Sequence, residues 1–319
     1  MKNNMKSTIQ MMAALVFVFV FGFAGCEPYE DYVKDYDFSV VYFGTQQPVR
    51  TLVARTENDD LEFRIGVTLG GVRENTKGYS AKFALDPDLL YTVEGADQFT
   101  LLPDDCYSIE NTNNTFVIPK GKFLGDCPVK IDKNKFAGLA GSLEKTYALP
   151  LRLLSTDADS LLTGKEYTVI VIKYIDEHSG YYYCKGWQAE WDGTDTVPGT
   201  AVGYSYADLS KNKVRLLTTR SLTQFDMAGM GNLGKTDGTA DDADHLLINL
   251  VDRTVNLEAI PYMNNITDRN SGYSAGAKTF TLDYLYTKGS TTYLVNEKLI
   301  LRQDVEKGLR FDTWEKPRP

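Results

Sequence analysis

From residue 37 onward the chain is built of short runs in which apolar and polar positions alternate, the period-two signature of half-buried strands. DFSVVYFG, RTLVAR, LEFRIGVTL, YSAKFALD, CYSIE, TFVIPKG, CPVKID, YALPLRLLS and YTVIVIKY are rich in β-branched and aromatic residues. Between them lie ENDD, LGG, DPD, NTNN and TDADS, clusters of turn-forming residues. DPDLLYTVEG and NKFAGLAGSLEK carry the plausible helical turns, and both are short. So many short strands imply an Ig-like antiparallel β-sandwich over residues 37–176. IDEHSG, at 175–180, interrupts the pattern. A second β-rich region follows, with YYYCKGWQAEW, AVGYSYA, KVRLLTT, SLTQFDMAG, HLLINLV, TVNLEAI, AKTFTLDYLYT and TTYLVNEKLILR as its strands. TKGSTTY, at 287–293, reads as a hairpin turn, and GKTDGTADDAD, at 234–244, as a polar loop. The predicted class is all-β, with residues 177–319 forming a second antiparallel β-sandwich or barrel-like domain.

The amino terminus departs from this pattern. Lys2 and Lys6 precede the apolar run MMAALVFVFVFGFAG, which is too short and too one-sidedly flanked for a transmembrane helix. Residues 1–25 therefore read as a signal peptide. FAGC, residues 23–26, resembles a bacterial lipobox, with Phe23 in place of the usual Leu, and makes Cys26 the expected lipidation site. EPYEDYVKDYD, residues 27–37, follows, and residues 26–36 read as an acidic tether. It is similar to the signal that sends Bacteroidetes lipoproteins to the exterior face of the outer membrane. The expected location is the outer membrane, lipid-anchored and facing out.

Composition narrows the chemistry. The net charge is −9, with 43 acidic against 34 basic residues, and no basic cluster stands out. Nucleic acid, whose binding needs phosphates neutralised by Lys and Arg, is not an expected partner. Two histidines and the absence of a CxxC spacing argue against a zinc site, and no cofactor motif is present. Besides Cys26 there are Cys106, Cys127 and Cys184. The first two fall in neighbouring strand-like segments, where an oxidising compartment allows a disulfide if the register permits.

The run SGYYYCKGWQAEW puts Tyr181, Tyr183, Trp187 and Trp191 on one strand face and Tyr182, Cys184, Gln188 and Glu190 on the other. The aromatic face is either a stacking platform for a ligand or the lining of a core. Large aromatics normally line a core and amides face water, so it is expected inside, with Trp191 emerging at the strand's end.

Two groups of segments resemble known lipoproteins. LLPDDCYSIENTNNTFVIPKG followed by YALPLRLLS resembles the N-terminal β-sandwich domain of Bacteroidetes surface lipoproteins encoded in polysaccharide utilisation loci. SGYYYCKGWQAEW, KTFTLDYLYTKGSTTYLVNEKLILR and LRFDTWE resemble the uncharacterised C-terminal β domain that accompanies it. The resemblance implies proximity to an outer-membrane glycan importer complex and a glycan or polysaccharide as partner, a warrant drawn from fold and neighbourhood alone. The same N-terminal domain precedes chitinase-like endoglycosidase barrels. Here the remaining length is too short for a (β/α)8 domain, and DGTADDADH lacks the Glu of the catalytic pattern.

Sugars are bound by flat rings against their CH faces and by amides and carboxylates on their hydroxyls. Trp191 is the first candidate. Tyr204, Tyr206, Tyr262, Asn264 and Tyr273 follow, because they lie in or beside loops, where binding residues concentrate. Asp237, Asp241, Asp242 and Asp244 read as a solvated loop, since their spacing is not that of a calcium-binding loop. Ser160 in DSL and Thr196 in DTV match the Bacteroidetes O-glycosylation pattern. No nucleophile elbow, P-loop or HExxH is present, and an enzyme is not expected. The expected function is a non-catalytic accessory in glycan capture and uptake. The alternative is an adhesin-like or structural surface protein that binds a protein partner.

Overall fold

The computed structural model describes residues 38–54, 61–233, 235, 239, 244–259, 265–302 and 312–314. The leader, Cys26, the acidic tether, Tyr262, Asn264 and Asp237, Asp241 and Asp242 lie outside the described residues. The chain is all-β, a sandwich followed by a closed eight-stranded barrel.

The sandwich strands are β1 (Val40–Tyr42), β2 (Pro48–Ala54), β3 (Leu61–Gly70), β4 (Tyr79–Leu85), β5 (Thr100–Leu101) and β6 (Tyr107–Ile109). They continue with β7 (Thr115–Ile118), β8 (Leu124–Ile131), β9 (Tyr147–Thr156), β10 (Ser160–Leu161) and β11 (Tyr167–Asp176). One sheet runs β10-β1-β3-β8-β6 and the other contains β2-β11-β9-β4-β7, with β5 beside β9. Three pairings, β1 with β10, β2 with β11 and β5 with β9, are parallel rather than antiparallel. Strand β3 shows how the pattern becomes a core. Leu61, Phe63, Ile65, Val67 and Leu69 point inward and every intervening residue is more exposed. Central strands β9 and β11 are apolar on both faces because both are covered. One face meets the main core through Leu149, Leu151, Ile170 and Ile172. The other packs Ala148, Val169 and Val171 under the short helix Leu89–Thr92, with Phe99 and Trp314.

The expected disulfide does not form: Cys106 and Cys127 are free and buried. Their segments are neighbours, as expected, but the register keeps them apart. The carbonyl of Cys106 accepts from the backbone N–H of Asp132, five residues along from Cys127. Five residues of strand is about 17 Å, far beyond the ~7 Å Cα limit for a bridge. Burial pushes both thiols above their ordinary pKa.

The second region comprises β12 (Gly180–Glu190), β13 (Val202–Gly203), β14 (Lys213–Thr219), β15 (Gln224–Ala228), β16 (His245–Val251) and β17 (Thr254–Ala259). It continues with β18 (Ile266–Asp268), β19 (Gly272–Ser274), β20 (Thr279–Lys288) and β21 (Thr291–Leu301). The sheet runs β12-β14-β15-β16-β17-β19-β20-β21 and closes because β21 also pairs with β12. Closure leaves no open edge in the circuit. Inside are Phe225, Met227, Leu246, Ile248, Phe280, Leu282 and Val295, together with a cluster of polar groups. Glu297 Oε2 accepts from Cys184 Sγ (3.1 Å) and Tyr204 OH (3.0 Å), and Oε1 from Tyr284 OH (2.8 Å). Beside it, Arg215 is fully buried and donates to the carbonyl of Gly231 at 2.6 Å.

The last described residues, 312–314, do not stay with the barrel. Strand β22 (Asp312–Thr313) pairs with β2, and Trp314 is buried in the sandwich. Asp312, Thr313 and Trp314 of LRFDTWE, a segment read from the sequence as part of the second domain, pack with the first. A ladder defect explains the docking. The N–H of Val169 donates to Gln46, so in this parallel ladder the carbonyl of Val169 is due a donor from residue 48. Residue 48 is proline and has none. The indole Nε1–H of Trp314 supplies the missing bond at 2.9 Å.

Candidate functional site

Strand β12 presents its aromatic face outward. Tyr181 is 45% exposed and Trp187 38%, whereas Tyr182 and Cys184 are buried in the barrel. This reverses the expected orientation. Amide polarity misleads at Gln188, which is inside. Its Oε1 accepts from the backbone N–H of Asn232 (2.6 Å) and from Tyr286 OH (3.2 Å), so burial leaves its carbonyl paired.

Gly186 sits on the inner side between these faces, directly opposite Glu297. A Cβ there would lie 2.3 Å from the carbonyl oxygen of Asn296 and 2.7 Å from Glu297 Cβ. The missing side chain lets β12 and β21 close around the buried carboxyl group.

On the outer surface the barrel register lines up three residues of different chemistry. Trp187 is directly opposite Asn296, and Asn296 is directly opposite Asp283. Directly opposed residues have Cβ atoms about 5 Å apart, so an indole, an amide and a carboxylate share one row. Asp283 Oδ1 is buried and has no hydrogen-bond partner among the described residues. The Arg269 guanidinium is 4.0 Å from it and also stacks 5.1 Å above the ring of Trp191. At the other end of the strand, Arg302 lies 5.7 Å over Tyr183. The face therefore offers open rings, flanked by paired acceptors and donors, on an extended surface.

The residues chosen from sequence are scattered. Trp191 does end the strand, bridged to Thr196, but it is half-buried and one ring face is taken by Arg269. Trp187, four residues earlier and expected in the core, is the more open ring. Tyr204 is no loop residue available for stacking. It is 5% exposed, and its hydroxyl donates to Glu297 inside the barrel, where burial and then Glu297 push its pKa far up. Tyr206 is 56% exposed. Ser160 is half-buried in β10 and donates its hydroxyl to Leu161 O, and Thr196 accompanies an exposed turn. Asp244 is not solvated: it is buried and paired with Lys288 at 3.0 Å.

Tyr273 belongs to a different place, a cleft of about 690 Å³ between sandwich and barrel. Asp176, His178, Phe225, Asp252 and Arg253 also line it. Asp176 Oδ1 is 2.6 Å from His178 Nδ1 and accepts the His178 backbone N–H at 2.8 Å. The His178 ring is held edge-on against Phe225, Tyr273 and Phe280. Asp176 donates its N–H to Thr219 Oγ1, and Ser179 hydrogen-bonds the same hydroxyl. Burial, then Glu177 and Asp176, push the Tyr273 phenol up to about 12. These bonds are spent on joining the two domains, which makes the cleft a joint. Among the described residues, no group of three His, Cys, Asp or Glu is placed to hold a metal ion.

Comparison with known proteins adds to the fold. A family model described as an N-terminal domain matches residues 35–160, most of the sandwich but not β11 or β22. No curated protein sequence matches. A Bacteroides ovatus protein of unknown function superposes with a TM-score of 0.66 at 18% identity, over 84% of this chain and 95% of that one. The two share a fold. A second Bacteroides ovatus protein of unknown function gives a TM-score of 0.42 at 14% identity, over 88% and 96% of the two chains. An auxiliary nutrient binding protein of Bacteroides thetaiotaomicron gives 0.37 at 14%, over 77% and 85%.

Proposed function

We propose that the protein is a non-catalytic glycan-binding accessory, anchored by lipid on Cys26 at the exterior face of the outer membrane, where it hands polysaccharide to an importer complex. The observation that carries the binding role is the outward row of Trp187, Asn296 and Asp283, extended along β12 by the exposed ring of Tyr181. An indole left 38% exposed beside an amide and a half-buried carboxylate is costly surface for a protein with no ligand. It suits a sugar, whose CH face covers the ring while its hydroxyls meet the polar atoms. The open, extended shape suits a chain rather than a single small molecule. The anchor rests on the FAGC motif and the acidic run after it. Tethering raises the effective concentration, so weak sites suffice.

Affinity electrophoresis through gels containing polysaccharide tests the site. Trp187→Ala should lower retention by about tenfold in affinity, the scale of a central aromatic contact, while the melting temperature stays near that of the parent. Retention unchanged in Trp187→Ala and Tyr181→Ala would remove this face as the glycan site.

A further inference from the structure

The outer face of β12 carries a second row, one step from Trp187. Lys185 is directly opposite Lys298 across the β12–β21 pairing, and both side chains share the outward parity of Trp187 and Asn296. Like charges placed directly opposite on a sheet are destabilising. Neither lysine forms an ion pair with a described residue. The next residue in that row, on β20, is Thr281, which brings no negative charge. The acid nearest in register is Asp283, diagonal to Lys298 and facing Arg269. With Arg302 over Tyr183 and Arg269 over Trp191, four cations surround the open rings. The chain as a whole has a net charge of −9, so this concentration runs against its composition.

We propose that this face selects sugars bearing an anionic group, a uronate carboxylate or a sulfate ester, with the sugar ring on Trp187 and the anion between Lys185 and Lys298. The proposal rests on the glycan-binding reading of the same face and specifies its substrate class. Successive rows are two residues apart along each strand, about 7 Å, so a pyranose stacked on Trp187 places an exocyclic anion over the lysines. The anion supplies the counter-charge that the fold leaves out. Elsewhere the acidic surface repels polyanions, so retention has to arise locally.

The test uses the full chain with polygalacturonate, a sulfated galactan and a neutral galactan in affinity gels, at low and high salt. The parent should be retained by at least one acidic polymer more strongly than by the neutral one, and salt should weaken that retention. Which acidic polymer it favours distinguishes carboxylate from sulfate. The double variant Lys185→Gln, Lys298→Gln should lose about tenfold or more on the acidic polymer and nothing on the neutral one, whereas Trp187→Ala should lose both. Its melting temperature should equal or exceed the parent's, because a repulsion has been removed. A lysine variant that binds all three polymers as the parent does, while Trp187→Ala does not, overturns the anionic selectivity and leaves the glycan face standing. Acidic retention lost with the lysines but untouched by Trp187→Ala overturns it as well, since the attraction is then bare charge. A fall in the lysine variant's melting temperature also overturns it, because the pair then serves the fold. If Trp187→Ala leaves all retention intact, the underlying reading fails separately.

Discussion

Replacing Trp314 tests whether the chain's last described residues hold the sandwich together. The indole is 2% exposed and meets Phe99 edge-on at 5.2 Å, among Val49, Val169 and Val171. Truncating a buried tryptophan to alanine costs about 3–5 kcal/mol. Trp314→Phe keeps most of the apolar contact and removes only the N–H. Because Pro48 has no N–H, the Val169 carbonyl is then left buried without a donor, at a cost of about 1–3 kcal/mol. The loss in either variant is capped at the free energy of docking the segment, since the remainder of the sandwich persists if β22 detaches. Equilibrium denaturation by urea, followed by circular dichroism, gives the order parent, Trp314→Phe, Trp314→Ala. Adding Pro48→Ala to Trp314→Phe should recover part of the loss by restoring a ladder donor. A midpoint for Trp314→Ala equal to the parent's would refute the reasoning, and equal losses in the two variants would refute the role assigned to the hydrogen bond.

Two further outcomes follow from the barrel. Gly186→Ala drives a methyl into the Asn296 carbonyl and Glu297, so it should cost about 1–3 kcal/mol or more through overpacking; a melting temperature like the parent's would show that β12 and β21 separate freely. Burial raises the phenol pKa of Tyr273 to about 12, from 10.0, and raises those of Tyr204 and Tyr284 too, so the folded state holds protons that the unfolded chain releases. Their contribution to stability is complete below pH 10 and falls as pH climbs toward and past 12; Tyr273→Phe should remove its share of that decline, and identical pH–stability curves for the two proteins would contradict it.

The strands were legible because period-two alternation is a local consequence of the pleat, and β3 or β20 can be read without knowing any neighbour. The two faces of β12 were legible for the same reason. Which face turns inward depends on distant partners: Asn232, and Tyr286 of β20, pair the Gln188 carbonyl that suggested solvent, and Glu297 of β21 accepts from Cys184. Gly186 was the available signal, a glycine interrupting a strand of large residues where another group needs room. Cys106 and Cys127 were placed in adjacent segments, but a five-residue offset in register is not written in either segment. The row of Trp187, Asn296 and Asp283 joins residues about a hundred positions apart and exists only once the barrel closes. Tyr206 and Tyr273 were chosen as loop tyrosines, and the fold sends them to separate surroundings.

The return of β22 to β2 makes the barrel an insertion within the sandwich. Synthesis from the amino terminus produces β1 to β11 first, yet the donor for Val169 arrives only after the whole barrel sequence has been made. The sandwich must therefore wait, with one edge of β2 and the pocket for Trp314 open, while the barrel between them folds. Trp314 then works as a latch that fastens when the rest is in place. Docking of Trp314 closes a long loop that contains the whole barrel, and a folded barrel lowers the entropic cost of that closure by holding the loop compact.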